Sequence, residues 1–166
     1  EAIASQQLEL YVQPQISRDQ QYVGMEALLR WHDPVEGFIS PVDFIPVAES
    51  SGLIIPLGAW VLREACQILA DWAKISEMQN LTLSVNISPR QFRHIQFIDY
   101  IDSCLKEFDV NPNHLELEIT ESLLIEDIDQ TIERMNALRQ RGLRFALDDF
   151  GTGYASLSYL KLLPLN

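Results

Sequence analysis

The sequence predicts an α/β fold built on a largely parallel β-sheet. From Leu57 onwards helical and strand patterns alternate along the chain, which is typical of parallel strands joined by right-handed helical crossovers. The 166 residues are enough for one domain with a real core. In addition, several strand patterns end in carboxylate or amide side chains, which suggests a site at one end of the sheet.

Five segments have the composition of strands, at residues 8–16, 22–31, 81–88, 114–120 and 144–150. The polar sequence SRDQQ between the first two favours a hairpin. The Pro- and Gly-containing stretch that follows, HDPVEGFISPVDFIP, is predicted to be a long connection without regular structure. A sixth strand is due where the chain ends in LLPLN, so we expect part of a domain with an unpaired sheet edge.

Helical patterns fill the intervals between the strands. In LGAWVLREACQILADWAK, apolar residues recur on one face at Leu57, Val61, Ala65, Ile68, Leu69 and Trp72. Ser88, Pro89 and Gln91 have the arrangement of a helix cap with a capping box, and a further apolar face follows over 98–108. DIDQTIERMNALRQRG is a helix with Gly142 as its expected stop, and YASLSYLKLL is helical after the fifth strand.

The charge of the chain argues against DNA or RNA as a general partner. Twenty-four acidic residues stand against twelve basic ones, and nucleic-acid binding requires the opposite sign unless divalent cations reverse it locally. Cys66 and Cys104 lie far apart in helical patterns and are predicted to be reduced core thiols, which favours a cytoplasmic location. No segment has the pattern of a membrane span or a signal peptide.

Polar side chains collect where four of the predicted strands end. They are Glu26 and Arg30, Asn86, Glu118 and Glu121, and the adjacent pair Asp148 and Asp149. In an α/β barrel these strand ends form one face, where active sites lie. Oxygen donors without histidine or thiolate favour Mg²⁺ or Mn²⁺ over zinc. The three histidines are scattered without ligand spacing.

The adjacent aspartates have two explanations. A strand passing into a glycine-rich turn loses its strict alternation, so both side chains can face one site and one carboxylate can bridge two metals. Alternatively, they form an Asx turn that caps the next helix.

The other polar residues are ambiguous when taken singly. Glu26 can be salt-bridged or exposed, Asn86 a satisfied core amide or a ligand, and Arg30 a phosphate ligand or half of a structural ion pair. Glu116, Glu118 and Glu121 cannot all be ligands. The joint placement of these residues on strand ends is what indicates a site.

A Glu-Ala-Leu stands at residues 26–28 within EALLRW. Around it are the segments YVQPQI, FISPVDFIPVAESSGLI, SVNIS, LELEITES and FALDDFGTGYASLSYLKLLP. In their order and content these motifs resemble those of the EAL domain, the bacterial cyclic-di-GMP phosphodiesterase, whose family name comes from the Glu-Ala-Leu. The resemblance covers essentially the whole chain. It implies an α/β fold with a TIM-like (β/α) barrel whose first strand is antiparallel, present here as an incomplete barrel of about five strands.

The resemblance also implies a site with two divalent cations, Mg²⁺ or Mn²⁺. Glu26, Asn86, Glu118 and Asp148 would hold the first cation, and Asp148 would bridge to the second, which Asp149 also binds. Glu26, Asp148 and Asp149 are then the catalytic residues. Glu121 would brace the loop after Asp149 without touching metal. The residues implied to contact the cyclic-di-GMP substrate are Gln13, Leu28 and Arg30.

Hydrolysis of one phosphodiester bond by a metal-activated water would give linear pGpG. The family continuation after LKLLP carries a catalytic lysine, a further metal-binding glutamate and a glutamine, so the chain 1–166 is expected to be the N-terminal portion of an EAL domain and inactive alone. The rival function is a non-catalytic cyclic-di-GMP receptor. We also expect a homodimer and an upstream sensor or GGDEF domain, with membrane attachment possible only through other segments.

Overall fold

The structure is a computed structural model that describes residues 2–3, 5–16, 22–123, 128–148 and 163–165, without the side chain of Val23. The strands are β1 (Leu8–Ile16), β2 (Tyr22–Asp33), β3 (Gly37–Ile39), β4 (Thr82–Ile87), β5 (Leu115–Thr120) and β6 (Arg144–Asp148). The helices are α1 (Pro41–Ser51), α2 (Ile54–Trp72), α3 (Pro89–Phe92), α4 (Phe97–Glu107) and α5 (Ile128–Arg139), with a short 3₁₀ helix at Pro112–His114. None of the helices described is both long and apolar enough to cross a membrane.

The sheet confirms the predicted topology. Its order is β1-β2-β4-β5-β6, and β3 pairs with β2. β2, β4, β5 and β6 run parallel, whereas β1 pairs with β2 in the antiparallel direction. The fold is therefore α/β with an antiparallel first strand, and the barrel does not close within the part of the chain that the structure describes.

The prediction of an irregular connection over 32–46 is wrong. β3 lies in this stretch and α1 begins at Pro41, with Phe44 and Ala48 buried and the Phe44 ring 5.4 Å from that of Trp31. Proline at the first helical position needs no N–H partner and is preset for helix, so the sequence Ser40-Pro41 marked a helix start. Gly52 ends α1 in the left-handed conformation at φ 83°.

Two further boundaries differ from the prediction. β2 continues to Asp33, two residues beyond the predicted end, because β3 pairs with its last residues. Glu26 lies in the interior of this strand and not near its end. The helix after Ser88 is split into the four-residue α3 and the longer α4. The Ser88 cap is confirmed, since its Oγ accepts from the backbone N–H of Gln91 at 3.1 Å.

The two faces of the sheet differ sharply in polarity. One face packs against the helices in the main core and carries buried apolar side chains at alternating strand positions. These include Leu83, Val85, Ile87, Leu115, Leu117, Ile119 and Phe145. The other face presents Glu26, Ser84, Asn86, Glu116, Glu118, Arg144 and Asp148. The side-chain period of two in a strand places one set against the helices and leaves the other facing away from them.

Both cysteines lie in this core as free thiols. Burial raises the pKa of Cys66 to about 12, and the neighbouring Cys104 and Glu107 add to the shift. Burial also raises the pKa of the Cys104 thiol. A thiol that stays protonated is a poor nucleophile, so the prediction of inert core residues agrees with their surroundings. Gly142, with φ 97°, follows α5 as the predicted stop.

Gly58→Ala is expected to destabilise the fold, although alanine favours a helix interior by about 1 kcal/mol. A Cβ at Gly58 would lie 2.3 Å from the amide Cδ of Gln91, which is itself buried. Overpacking of this kind costs about 1–3 kcal/mol. Urea unfolding measures the loss, and the same substitution in a Gln91→Ala background should instead be neutral or stabilising. Equal effects in both backgrounds would rule out this contact as the cause.

Candidate metal and phosphate site

Four of the predicted site residues lie on adjacent strands of the polar face. Asn86 on β4 is the register partner of Glu118 on β5. Glu26 on β2 is paired with Ser84, two residues before Asn86. Asp148 on β6 is paired with Thr120, two residues after Glu118. Because residues two apart in a strand share a face, Glu26, Asn86, Glu118 and Asp148 form one staggered row.

Hydrogen bonds tie this row together. Asn86 Nδ2 donates to Glu26 Oε1 at 2.9 Å, which leaves the amide Oδ1 as the atom of Asn86 that can ligate a cation. Gln15 Nε2 donates to Glu118 Oε1 at 3.1 Å. Gln15 was not among the predicted site residues. The sequence did contain a signal for it, because Gln15 is a polar residue two positions after Gln13 and therefore lies on the same face of β1.

The electrostatics of the row suit a cation. Glu118 is only 8% exposed, and burial raises the pKa of its carboxyl group, helped by the charges of Glu26 and Asp148. The hydrogen bond from Gln15 opposes this shift. Like charges held together in a partly buried place are the situation that a divalent cation relieves.

A second group on the same face provides a contrast. Glu116, one strand repeat before Glu118, accepts from Ser84 Oγ at 3.0 Å and lies 3.6 Å from the guanidinium Nε of Arg144. The charge of Glu116 therefore has a basic partner from the protein itself. Within the described residues Glu26 and Glu118 form no ion pair with lysine or arginine, and the hydrogen bonds to them come from the neutral amides of Asn86 and Gln15.

The donor set fits Mg²⁺ or Mn²⁺. It consists of hard carboxylate and amide oxygens on rigid strands, which is the chemistry these cations prefer. The described residues nevertheless contain no group of three or more His, Cys, Asp or Glu placed to hold a metal ion, so Glu26, Glu118 and Asp148 share a face of the sheet without being closed around a cation. Asp149 lies outside the described residues.

An apolar cavity of about 520 Å³ adjoins the row. Leu28, Arg30 and Asn86 line it together with side chains of α1 and α2. Arg30 donates to its neighbour's backbone carbonyl at 2.9 Å, and its guanidinium lies 5.7 Å from the centre of the Tyr11 ring. The sequence left two roles open for Arg30, a phosphate ligand or half of a structural ion pair. Among the described residues no acidic side chain forms an ion pair with it.

The remaining predicted residues have different outcomes. Gln13 is the register partner of Glu26 and belongs to the same polar face. Glu121 is buried, one residue beyond the end of β5. Asp149 and the loop that Glu121 was expected to brace lie outside the described residues, so both roles stay predictions.

Comparison with known proteins agrees with this architecture. The family profile described as "EAL domain" matches residues 1–166, and the chain belongs to the EAL domain family. The bifunctional diguanylate cyclase/cyclic di-GMP phosphodiesterase MucR of Pseudomonas aeruginosa is 40% identical over 165 residues, 99% of this chain and 24% of MucR. The oxygen sensor protein DosP of Escherichia coli is 41% identical over 169 residues, 99% of this chain and 21% of DosP.

A solved structure is equally similar. The PaMucR phosphodiesterase in its c-di-GMP complex superimposes with a TM-score of 0.94 at 40% identity, covering 99% of this chain and 66% of that one. The sheet with its antiparallel first strand is therefore that of EAL domains. The chain spans between a fifth and a quarter of the length of the curated relatives named above.

Proposed function

We propose that this chain forms part of a metal-dependent phosphodiesterase that hydrolyses cyclic-di-GMP to linear pGpG. The observation that carries the proposal is the row Glu26–Asn86–Glu118–Asp148, which gathers hard oxygen donors beside a cavity lined by Arg30. The names of the MucR relative and of the solved PaMucR complex support this substrate.

In this proposal the row would hold one divalent cation, and Asp148 together with Asp149 would hold a second. When bound, the cations supply an activated water and stabilise negative charge on the phosphate oxygens. Glu26 and Glu118 contribute the charge, and Asn86 contributes Oδ1 while its Nδ2 orients Glu26. Glu121, buried next to β5, supports the loop after Asp149.

The chain's other residues bind and orient the dinucleotide. Arg30 is positioned by the Tyr11 ring and offers its remaining N–H groups to a phosphate. Leu28 lines the apolar cavity next to it, and Gln13 lies opposite Glu26 across the β1–β2 pair. Fixing the phosphodiester against the row lowers the entropic cost of reaching the transition state.

The parent protein is proposed to be a homodimer with further domains. The chain matches about a quarter of MucR, which is named as bifunctional, and about a fifth of DosP, which is named as an oxygen sensor. These relatives support a sensor or GGDEF domain on the same polypeptide.

The test is hydrolysis by the full-length protein, followed by chromatography of pGpG. Activity is expected with Mg²⁺ or Mn²⁺ and should disappear in excess EDTA. Glu26→Gln should lower kcat/KM by more than about 100-fold, since loss of a ligand exceeds the effect of losing an outer-shell partner. Glu133→Gln makes the same chemical change on an exposed position of α5 and should have no effect.

Two results would contradict the proposed activity. Hydrolysis that persists in EDTA would exclude the metal-dependent mechanism. Tight binding of cyclic-di-GMP without any turnover in either metal would replace the enzyme with the non-catalytic receptor.

A further inference from the structure

One hydrogen bond crosses the polar face of the sheet. Gln15 on β1 donates to Glu118 on β5 at 3.1 Å, although β2 and β4 lie between these strands. Three strand spacings in a flat sheet would put the two strands about 14 Å apart. The contact therefore depends on the curvature that brings the first strand of the sheet towards the fourth in its order.

Gly24 provides the space for this crossing. It is the register partner of Gln15 on β2. A Cβ at Gly24 would lie 3.3 Å from Gln15 Oε1 and 2.5 Å from Thr82 Oγ1. A glycine inside a strand weakens the strand and often marks a close approach of another group. Here the close approach is made by the Thr82 side chain and by the glutamine amide on its way to Glu118.

The chemistry of the donor matters as much as its position. Glu116, the other acidic residue on β5, is paired with the positive charge of Arg144. Glu118 is paired instead with a neutral amide, which fixes one carboxylate oxygen and leaves the negative charge in place. Oε2 is then the oxygen that can bind a cation. An arginine at position 15 would orient Glu118 equally well, but it would compete with the cation.

We propose that Gln15 is a positioning residue for the metal ligand Glu118: it holds the carboxylate in its binding orientation without neutralising it. This inference rests on the proposed function, in which Glu118 binds a divalent cation. Hydrogen-bonded partners of metal-binding side chains typically contribute 10- to 100-fold to metal affinity or activity.

The experiment measures Mn²⁺ affinity of the full-length protein by titration calorimetry, without substrate. Gln15→Met, which keeps the size and removes the amide, is expected to weaken Mn²⁺ binding by about 10- to 100-fold. Because a bound cation itself orients Glu118, the loss in kcat at saturating Mn²⁺ should be smaller than the loss in Mn²⁺ affinity. Gln15→Asn, which is too short to reach, should weaken binding similarly and serves if the first variant does not fold.

Gln67→Met is the matched control, because Gln67 also donates to a carboxylate, that of Asp71, at 3.2 Å on the exposed surface of α2. Unchanged Mn²⁺ affinity in both Gln15 variants, or an equal loss in Gln67→Met, would overturn the inference. Glu118→Gln separates this failure from that of the proposed function. If Glu118→Gln loses affinity while the Gln15 variants do not, only the inference fails; if Glu118→Gln also retains it, the proposed site itself is wrong.

Discussion

Glu118→Gln is expected to abolish cation-dependent hydrolysis while making the cation-free protein more stable. The two effects share one cause. Burial and the charges of Glu26 and Asp148 raise the pKa of Glu118 in the folded protein, so the ionised carboxylate opposes folding unless a cation is bound. Glutamine cannot ionise, and its Oε1 can still accept the hydrogen bond from Gln15.

The sign of the pH dependence follows from the raised pKa. Below the ordinary value of 4.5, Glu118 is protonated in both the folded and the unfolded chain and has no effect. As the pH rises towards the folded-state pKa, the unfolded chain loses its proton first and the wild-type protein loses stability. Near pH 7 we therefore expect the variant to be the more stable of the two proteins.

Urea unfolding of the domain in EDTA, between pH 4.5 and 8, measures this difference. The wild type should lose stability over that range relative to Glu118→Gln, and added Mn²⁺ should stabilise the wild type but not Glu118→Gln. Glu133→Gln, on the exposed face of α5, should follow the wild type in both respects. A Glu118→Gln protein that is less stable than the wild type in EDTA, or that hydrolyses cyclic-di-GMP at the wild-type rate, would contradict the assignment.

Phe92→Ala is expected to cause the largest loss of stability, about 3–5 kcal/mol. The Phe92 side chain is fully buried between α3 and the sheet. Its ring centre lies 5.6 Å from that of Phe97, 6.4 Å from that of Phe145 and 5.8 Å from the guanidinium of Arg134. Since whole domains are stable by only about 5–15 kcal/mol, removing this ring threatens the fold.

The position of Phe145 gives this loss a functional consequence. Phe145 lies on β6 three residues before Asp148, so the aromatic contact links α3 to a strand that supports the site. Phe38→Ala is the matched control, because the Phe38 ring is 55% exposed at β3 and contacts only His32 among the described aromatic rings. Phe38→Ala should lower the free energy of unfolding by less than about 1 kcal/mol. Equal midpoints of urea unfolding for the two variants would refute the role of Phe92.

Most of what could be predicted from the sequence came from the residues at the ends of the predicted strands. Apolar runs ending in Asn86, Glu118 and Asp148 predicted parallel strands with acids at a common edge, and the register places these residues in one row. This worked because the side-chain period of two and the parallel direction are local properties of each strand. The same reasoning misplaced Glu26 near a strand end, whereas β2 continues to Asp33 and Glu26 lies in its interior.

Two kinds of feature could not be predicted from the sequence. One is a contact that depends on the curvature of the sheet, and the other is a helix whose composition is typical of a loop. The bond from Gln15 to Glu118 joins residues 103 positions apart and exists only because the sheet curls. Helix α1 was missed because its two prolines, Pro41 and Pro46, were counted as helix breakers, whereas the first occupies the N-terminal position that tolerates it. The role of Asp149 depends on residues outside those described.

Glu26, Asn86, Glu118 and Asp148 are proposed to bind one divalent cation together. The most direct measurement is an anomalous difference map from crystals of the protein grown with Mn²⁺. The map should show a manganese peak with oxygen atoms of these four side chains at about 2.1 Å, close to the distance that Mg²⁺ requires, and the Asn86 ligand should be Oδ1. A protein that hydrolyses cyclic-di-GMP fully but shows its manganese peak elsewhere, with none beside these four side chains, would contradict this assignment.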